Sequence, residues 1–404
     1  MKTERITENI TRGAEIIRGG GLVGVPTETV YGLAGNGLNE AAVKQIYEVK
    51  GRPEVKALSL MVPDETAMER YCVDVPAAAY ALAKKYWPGP LTIILKSKPE
   101  VPEIVRAGGE TVGLRCPDHP LTLALLREAG VPLAAPSANP SGAPSPKTAG
   151  DVMAYFDGQI DAVIDGGECG IGTESTIIDL SRTPYRILRV GALSEDDVFA
   201  VLRESLTLIG ITGGSGGGKS TALRCLASKG ACIIDCDEVY YELTVSSAEM
   251  REELIARYGD VYDGTALNRK KLGSIVFADP AALEDLNRIT HKYVDMEIDR
   301  LLTEHARNGG TLAAIDAIAL LGNRFAEKTL CNVAISAPTE ARVQRLMARE
   351  GISEEYARAR IAAQKPNEYF EENCDYTLHN DGTKAEFEET CQKFFTEVLK
   401  DGCK

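Results

Sequence analysis

Near the middle of the chain an apolar, β-branched run, Leu206-Thr-Leu-Ile-Gly-Ile-Thr212, leads directly into Gly213-Gly-Ser-Gly-Gly-Gly-Lys-Ser220. A strand-length run that ends in a glycine loop and opens a helical pattern commits the residues after it to a parallel sheet, because a strand followed by a helix returns beside itself only through a crossover. The junction also isolates what precedes it. The chain has 404 residues, more than the roughly 250 to 300 that one core supports. Two domains are expected, 1–205 and 206–404, meeting at about Ser205 with almost no linker. Just before the junction, Leu193 to Glu204 reads as an amphipathic helix with Ser194 as N-cap and Glu195, Asp196 and Asp197 in its first turn, where acids favour the positive helix end.

Composition narrows the class. With 44% hydrophobic and 26% charged residues the chain is ordinary for a globular protein. Its charged beginning lacks a secretory apolar stretch, and no run of about 18 apolar residues suits a bilayer, so no membrane contact and a cytoplasmic location are expected. Ten cysteines are scattered without a CxxC pair, which favours buried thiols in a reducing compartment. The four histidines, His119, His291, His305 and His379, show no zinc-binding spacing. Residues up to Ser205 carry 21 basic against 27 acidic side chains and the rest 24 against 32, giving −6 and −8 of the total −14. Neither half has the basic excess of a domain that binds nucleic acid by neutralising phosphates.

Both halves read as α/β. In the first, strand-like runs (Gly21 to Val25, Leu58 to Val62, Leu91 to Leu95, Thr111 to Arg115, Ala162 to Asp165, Thr176 to Leu180) alternate with helical ones (Glu40 to Val49, Ala77 to Tyr86, Leu121 to Ala129), predicting a sizeable twisted sheet. The second reads as strand, glycine loop, helix, a strand over Ala231 to Asp235, a long helical insert from about Glu238 to Asn308, strands near Leu312 to Asp316 and Val333 to Ser336, and a charged helix from Thr339 to Gln364.

The glycine loop has the spacing of a P-loop in the context that gives the motif its mechanism. Gly213, Gly214, Ser215, Gly216, Gly217 and Gly218 let backbone N–H groups converge on phosphate oxygens at a helix N-terminus. Lys219 would reach the β- and γ-phosphates of ATP, and Ser220 would offer Mg²⁺ a hydroxyl. Asp235-Cys-Asp237 ends the next strand, where a carboxylate projects into the crevice of an open α/β sheet. With these residues, Asp263-Gly-Thr-Ala-Leu-Asn-Arg269, Thr290-His291, Arg345-Leu-Met-Ala-Arg349, Arg360-Ile-Ala-Ala-Gln364 and Asn380-Asp-Gly382, residues 207 to 400 resemble the dephospho-coenzyme A kinases. The resemblance implies transfer of a phosphoryl group from ATP to the ribose 3′-hydroxyl of dephospho-CoA, with Asp237 as general base and Thr221 beside the nucleotide. Arg345, Arg349 and Arg360 would lie on or near a lid, Arg349 as a charge clamp. Two departures touch the acceptor side: Asp316-Ala-Ile-Ala-Leu-Leu-Gly-Asn-Arg324 differs from the family's usual sequence, and Lys292 follows His291 where proline is usual.

In the first half, Val25-Pro-Thr-Glu-Thr-Val-Tyr-Gly-Leu-Ala34, Lys50-Gly-Arg-Pro53 and Ala135-Pro-Ser-Ala-Asn-Pro-Ser-Gly142 supply hydroxyls, cations and an amide on proline-stiffened turns, suited to a polar anionic ligand or to ordinary turns. No covalent apparatus is evident. Together with Trp87-Pro-Gly-Pro-Leu-Thr92, Thr111-Val-Gly-Leu-Arg115, Asp165-Gly-Gly167, Glu174-Ser-Thr176 and Arg186-Ile-Leu-Arg189, residues 8 to 193 resemble the YrdC-like threonylcarbamoyl-AMP synthases. The resemblance implies formation of threonylcarbamoyl-adenylate and pyrophosphate from L-threonine, bicarbonate and ATP, the adenylate serving partner proteins that modify tRNA. Thr27, Tyr31, Thr111 and Arg115 would address threonine. Lys50, Arg52, Lys56, Ser137, Asn139, Ser175 and Arg189 would line the nucleotide. Two alternatives remain at this point: an RNA-binding or carrier module without synthesis in the first half, and a P-loop kinase for another small acceptor in the second. Direct tRNA contact is left open.

Overall fold

The computed structural model describes residues 2–317 and 324–401. It divides into two compact units, one running to Ser205 and including Arg307–Gly309, the other made of the remainder from Leu206.

The first unit is built on one mixed ten-stranded sheet. Its strands are β1 (Glu4–Ile6), β2 (Val23–Val25), β3 (Gly32–Asn36), β4 (Ser59–Met61), β5 (Leu91–Lys96), β6 (Thr111–Arg115), β7 (Leu133–Ala134), β8 (Ala162–Ile164), β9 (Thr176–Asp179) and β10 (Arg186–Arg189). They lie in the order β1-β8-β2-β3-β7-β4-β6-β5-β9-β10. Helices Ile10–Arg18 and Pro120–Ala129 cover one face, packing Ala14, Ile17, Leu125 and Leu126 against Val23, Val25 and Ile164. The helix expected before the junction forms as Glu195–Glu204, closed by a capping box in which Ser194 and Asp197 exchange hydrogen bonds.

The second unit has five parallel strands, β11 (Thr207–Thr212), β12 (Cys232–Asp235), β15 (Leu312–Asp316), β16 (Cys331–Ser336) and β17 (Tyr376–His379), in the order β12-β15-β11-β16-β17. Helices Lys219–Ser228 and Lys384–Asp401 bury Ala222, Leu226, Phe387 and Phe395 against Ile209, Ile211 and Val333. Two expectations are corrected. The insert is not wholly helical: helices Cys236–Ser246, Ala248–Tyr258, Arg269–Val276 and Pro280–Arg307 are interrupted by a hairpin, β13 (Tyr262–Asp263) with β14 (Ala266–Leu267). Gly264, at φ 64°, supplies its tight turn. The charged helix ends at Glu350, where Gly351 is left-handed at φ 67°, and a second begins at Glu354 behind its cap Ser353. The altered segment after Asp316 falls largely on residues 318–323, outside the described residues.

No helix among the described residues is long and apolar enough to cross a membrane, and the nine described cysteines form no disulfide among themselves. Phe395 is fully buried, so Phe395→Ala is expected to destabilise the second unit by about 3–5 kcal/mol. Urea unfolding followed by circular dichroism reads this as a shift of one transition.

Candidate functional sites

In the first unit a cavity of about 180 Å³ is lined by Tyr31, Arg52, Arg115, Ser137, Ser175 and Arg189, six of the residues expected there, and by Ser59, Thr92 and Glu174. The sheet gathers them: Arg115 closes β6, Thr92 lies on β5, Ser175 precedes β9 and Arg189 ends β10. The Arg115 guanidinium, 7% exposed, donates from Nη2 to Glu28 Oε1 at 2.7 Å and Thr29 Oγ1 at 2.8 Å, and from Nε to the Gly89 carbonyl at 3.3 Å. Arg189 donates to the Ser175 carbonyl at 3.0 Å, to Ser175 Oγ at 3.1 Å and to Glu174 at 2.5 Å. Arg52 holds the carbonyls of Lys56 and Ala57 at 3.2 and 3.0 Å. Burial lowers the pKa of Arg52 and of Arg189.

The other expected residues do not line this cavity. Lys50 is buried, its ammonium donating to the carbonyls of Ser137 and Asn139, so it braces the Pro136–Pro140 turn. Burial, reinforced by nearby Arg52, pulls its pKa from 10.5 to about 8. Asn139 turns its amide to the Pro140 and Ala143 carbonyls. Lys56 is exposed. Thr27 is buried and donates to the Val30 carbonyl at 2.7 Å, fixing the loop before β3. Thr111 begins β6, four residues from Arg115 and therefore about 13 Å away, in a separate cavity with Arg106 and Arg182. Tyr31 reaches the cavity, but its hydroxyl donates to the Gly167 carbonyl at 2.8 Å and accepts from the Gly166 N–H at 3.1 Å. Burial raises its pKa to about 12. Sequence reasoning gave no role to Glu28, Thr29 or Glu174, although two of the quoted motifs contain them.

In the second unit a cavity of about 720 Å³ brings together the glycine loop, Lys219, Ser220, Thr221, Asp235, Asp237, Asp316, Arg345, Arg349, Arg360 and Asn380. Asp235 and Asp316 stand opposite each other in register at the ends of β12 and β15. Lys219 Nζ lies 3.1 Å from Asp316. Burial raises the Asp316 pKa and Lys219 opposes the shift. Asp235 caps its helix, accepting the N–H groups of Asp237 at 2.9 Å and Glu238 at 3.2 Å. Asp237 is exposed on the cavity wall.

The loop carbonyls are gripped from below. Arg342, a residue not singled out from sequence, donates to the Ser215 carbonyl at 2.9 Å, to Gln364 at 3.1 Å and to Asn367 at 3.1 Å. Gln364 in turn accepts the Ser215 N–H and donates to Ser215 Oγ. Arg345, expected on or near a lid, lines the cavity and also bonds the carbonyls of Gly216, Gly217 and Asn380. Arg349 and Arg360 both pair with Glu350 at 2.5 Å. At Gly218, φ is 112° and a Cβ would collide with the Asn380 amide, so no other residue fits that bend.

A family model described as telomere recombination, the Sua5, YciO and YrdC group, matches residues 15–191, and the dephospho-CoA kinase model matches 207–386. A threonylcarbamoyl-AMP synthase of Halorhodospira halophila is 34% identical over 170 residues, 42% of this chain and 89% of that protein. A dephospho-CoA kinase of Thermobifida fusca is 33% identical over 194 residues, 48% of this chain and 96% of that one. The chain belongs to both families. The YrdC-family unit is also 46% identical to a threonylcarbamoyl-AMP synthase of Pyrococcus abyssi over 202 residues, half of this chain and 59% of the relative. The chain thus spans less than two thirds of the length of the first curated relatives it matches. A solved structure of P. abyssi Sua5 complexed with L-threonine is 28% identical, with a TM-score of 0.48, covering 78% of this chain and 92% of that one.

Two consequences are measurable. In the YrdC-family unit Lys50→Met strips two carbonyls of their donor, at about 2–4 kcal/mol, read by urea unfolding. Because the folded ammonium titrates near pH 8 and the unfolded one near 10.5, the unfolded chain holds more protons between those values. This residue therefore makes the wild type more stable as pH rises through that window, and Lys50→Met removes that slope. In the kinase-family unit Arg342→Ala is expected to weaken ATP binding about tenfold or more by releasing the loop, as measured by calorimetric titration.

Proposed function

We propose that the protein is a bifunctional enzyme. Its first unit makes threonylcarbamoyl-AMP and pyrophosphate from L-threonine, bicarbonate and ATP, and its second transfers the γ-phosphoryl of ATP to the 3′-hydroxyl of dephospho-CoA. The observation that carries this reading is that each unit has its own cation-lined cavity, and the family matches fall separately on the two units.

In the first unit Arg115 is suited to the threonine carboxylate, and Arg52, Ser137, Ser175 and Arg189 to the nucleotide. Lys50, Asn139 and Thr27 act behind them by fixing the turns that carry these groups. With no histidine or cysteine among the described residues that line the cavity, and so no evident base to activate one of its hydroxyls, the chemistry rests on positioning and charge stabilisation. The labile product is handed to tRNA-modifying partner proteins.

In the second unit the loop and Lys219 hold the phosphates, and Asp237 takes the proton of the acceptor hydroxyl. Asp237 suits that role better than Asp235, whose carboxylate already accepts two backbone N–H groups. Arg349 exchanges Glu350 for the transferred phosphoryl group. Ser220, Asp235 and Asp316 face the same cavity as hard oxygen donors, a set that suits Mg²⁺; when bound, the ion neutralises phosphate charge. Among the described residues no three His, Cys, Asp or Glu side chains form a metal cluster of their own, in keeping with an ion that arrives with the nucleotide.

Lys219→Ala is expected to lower dephospho-CoA-dependent ADP formation by about two to three orders of magnitude while threonine-dependent pyrophosphate release continues. Arg115→Ala is expected to do the reverse, with a loss of similar size. Absence of pyrophosphate release from the wild type would leave the first unit as a binding module. Equal turnover of nucleosides and dephospho-CoA would defeat the acceptor assignment.

A further inference from the structure

The guanidinium of Arg115 is committed along one edge. Nη2 donates to Glu28 Oε1 and Thr29 Oγ1, and Nε faces the Gly89 carbonyl. Nη1 has no hydrogen bond to any described residue. The carboxylate that fixes this orientation is itself fixed, because Glu28 Oε2 accepts the Asp118 N–H at 3.0 Å. The Glu28 carbonyl meanwhile accepts the N–H of Ile171 at 2.8 Å. The ion pair is nearly closed to solvent, with 8% and 13% of the two side chains exposed. Such a pair is stiff, since turning the guanidinium would leave the buried Glu28 Oε1 without its donor while Asp118 still pins Oε2 in place.

An arginine with both edges free grips a carboxylate with two parallel hydrogen bonds. Here that grip is blocked by the protein's own carboxylate, which leaves a single prong for the ligand. We propose that Glu28 is the positioning residue of the amino-acid subsite: it holds Arg115 so that Nη1 alone meets the substrate carboxylate, which sets where the rest of the amino acid lies. This rests on the synthase reading of the first unit. Without Glu28 the cation keeps its charge, and the ligand still binds. The freed fork takes the carboxylate in its two-pronged manner and swings the amino acid out of line.

The test is steady-state kinetics of threonine-dependent pyrophosphate release by the full chain, below the variant's unfolding midpoint. Glu28→Gln is expected to lower kcat about 10- to 100-fold, the size of loss that a displacement of about 1 Å produces. The KM values for threonine and ATP are expected to stay within about threefold of wild type, a change of less than about 0.7 kcal/mol. Arg115→Ala, by contrast, raises the threonine KM. If Glu28→Gln does not fold, Thr29→Val removes the other acceptor of the same Nη2 and is expected to lower kcat in the same sense. A folded variant with wild-type kcat overturns the proposal, as does a raised threonine KM with kcat kept. A wild type that releases no pyrophosphate with threonine defeats instead the synthase reading on which the proposal rests.

Discussion

A cation waiting in a cleft for an anion needs a partner before the anion arrives, because an unpaired charge removed from water costs several kcal/mol. The buried cations lining the two cavities meet this constraint, and the more exposed ones also have partners. Arg115 has Glu28, Arg189 has Glu174, Lys219 has Asp316, and Arg349 and Arg360 share Glu350. Arg52 and Arg345 are held instead by backbone carbonyls. The two kinds of partner differ in consequence. A carbonyl fixes a cation and leaves its charge available, so these groups brace a loop and still project a field. A carboxylate cancels the charge until something displaces it or binds beside it, so at Arg189, Lys219 and Arg349 an incoming anion has to compete with a carboxylate already in place.

The glycine loop depends on the same economy of partners. Its N–H groups can turn toward a phosphate only if its carbonyls are satisfied on the opposite side, and Arg342, Arg345 and Asn380 satisfy them. The parallel sheet does the rest. The register that sets Asp235 beside Asp316 places both carboxylates at the strand ends next to Lys219, so the sheet and the chemistry are fixed by one set of backbone bonds.

Much of this was legible from sequence where a signal was local. The strands at Thr111–Arg115 and Leu312–Asp316, the helix Ala77–Tyr86 and the cap at Ser194 follow from runs, periodicity and side-chain capping. β3 was not legible, because Gly32-Leu-Ala-Gly-Asn36 has neither alternation nor β-branched residues; it is a strand because its neighbours β2 and β7 pair with it on both sides. At the sites, motifs identified the groups that face a ligand better than those that face each other. Arg115 and Arg189 stand out as arginines in recognisable runs, whereas Glu28 matters only because the fold carries it across 87 positions to Arg115. Lys50 shows the converse: its own motif, Lys50-Gly-Arg-Pro53, marked it, yet it is turned inward onto carbonyls. A sequence run marks a charged residue without revealing its direction.

Net charge was equally silent about the sites. Both units are acidic, yet each gathers cations in one concavity, since acids spread over an exposed surface are screened beyond about 8–10 Å, while charges in a low-dielectric cleft act at close range. The acidic exterior and the cationic cleft are therefore compatible and separately useful. The first offers long nucleic-acid backbones no general attraction by charge; the second presents its cations only to what can enter the cleft. An anion that enters either cleft meets cations already held by carboxylates or carbonyls, so its fit is decided by these close contacts and not by the net charge of the unit.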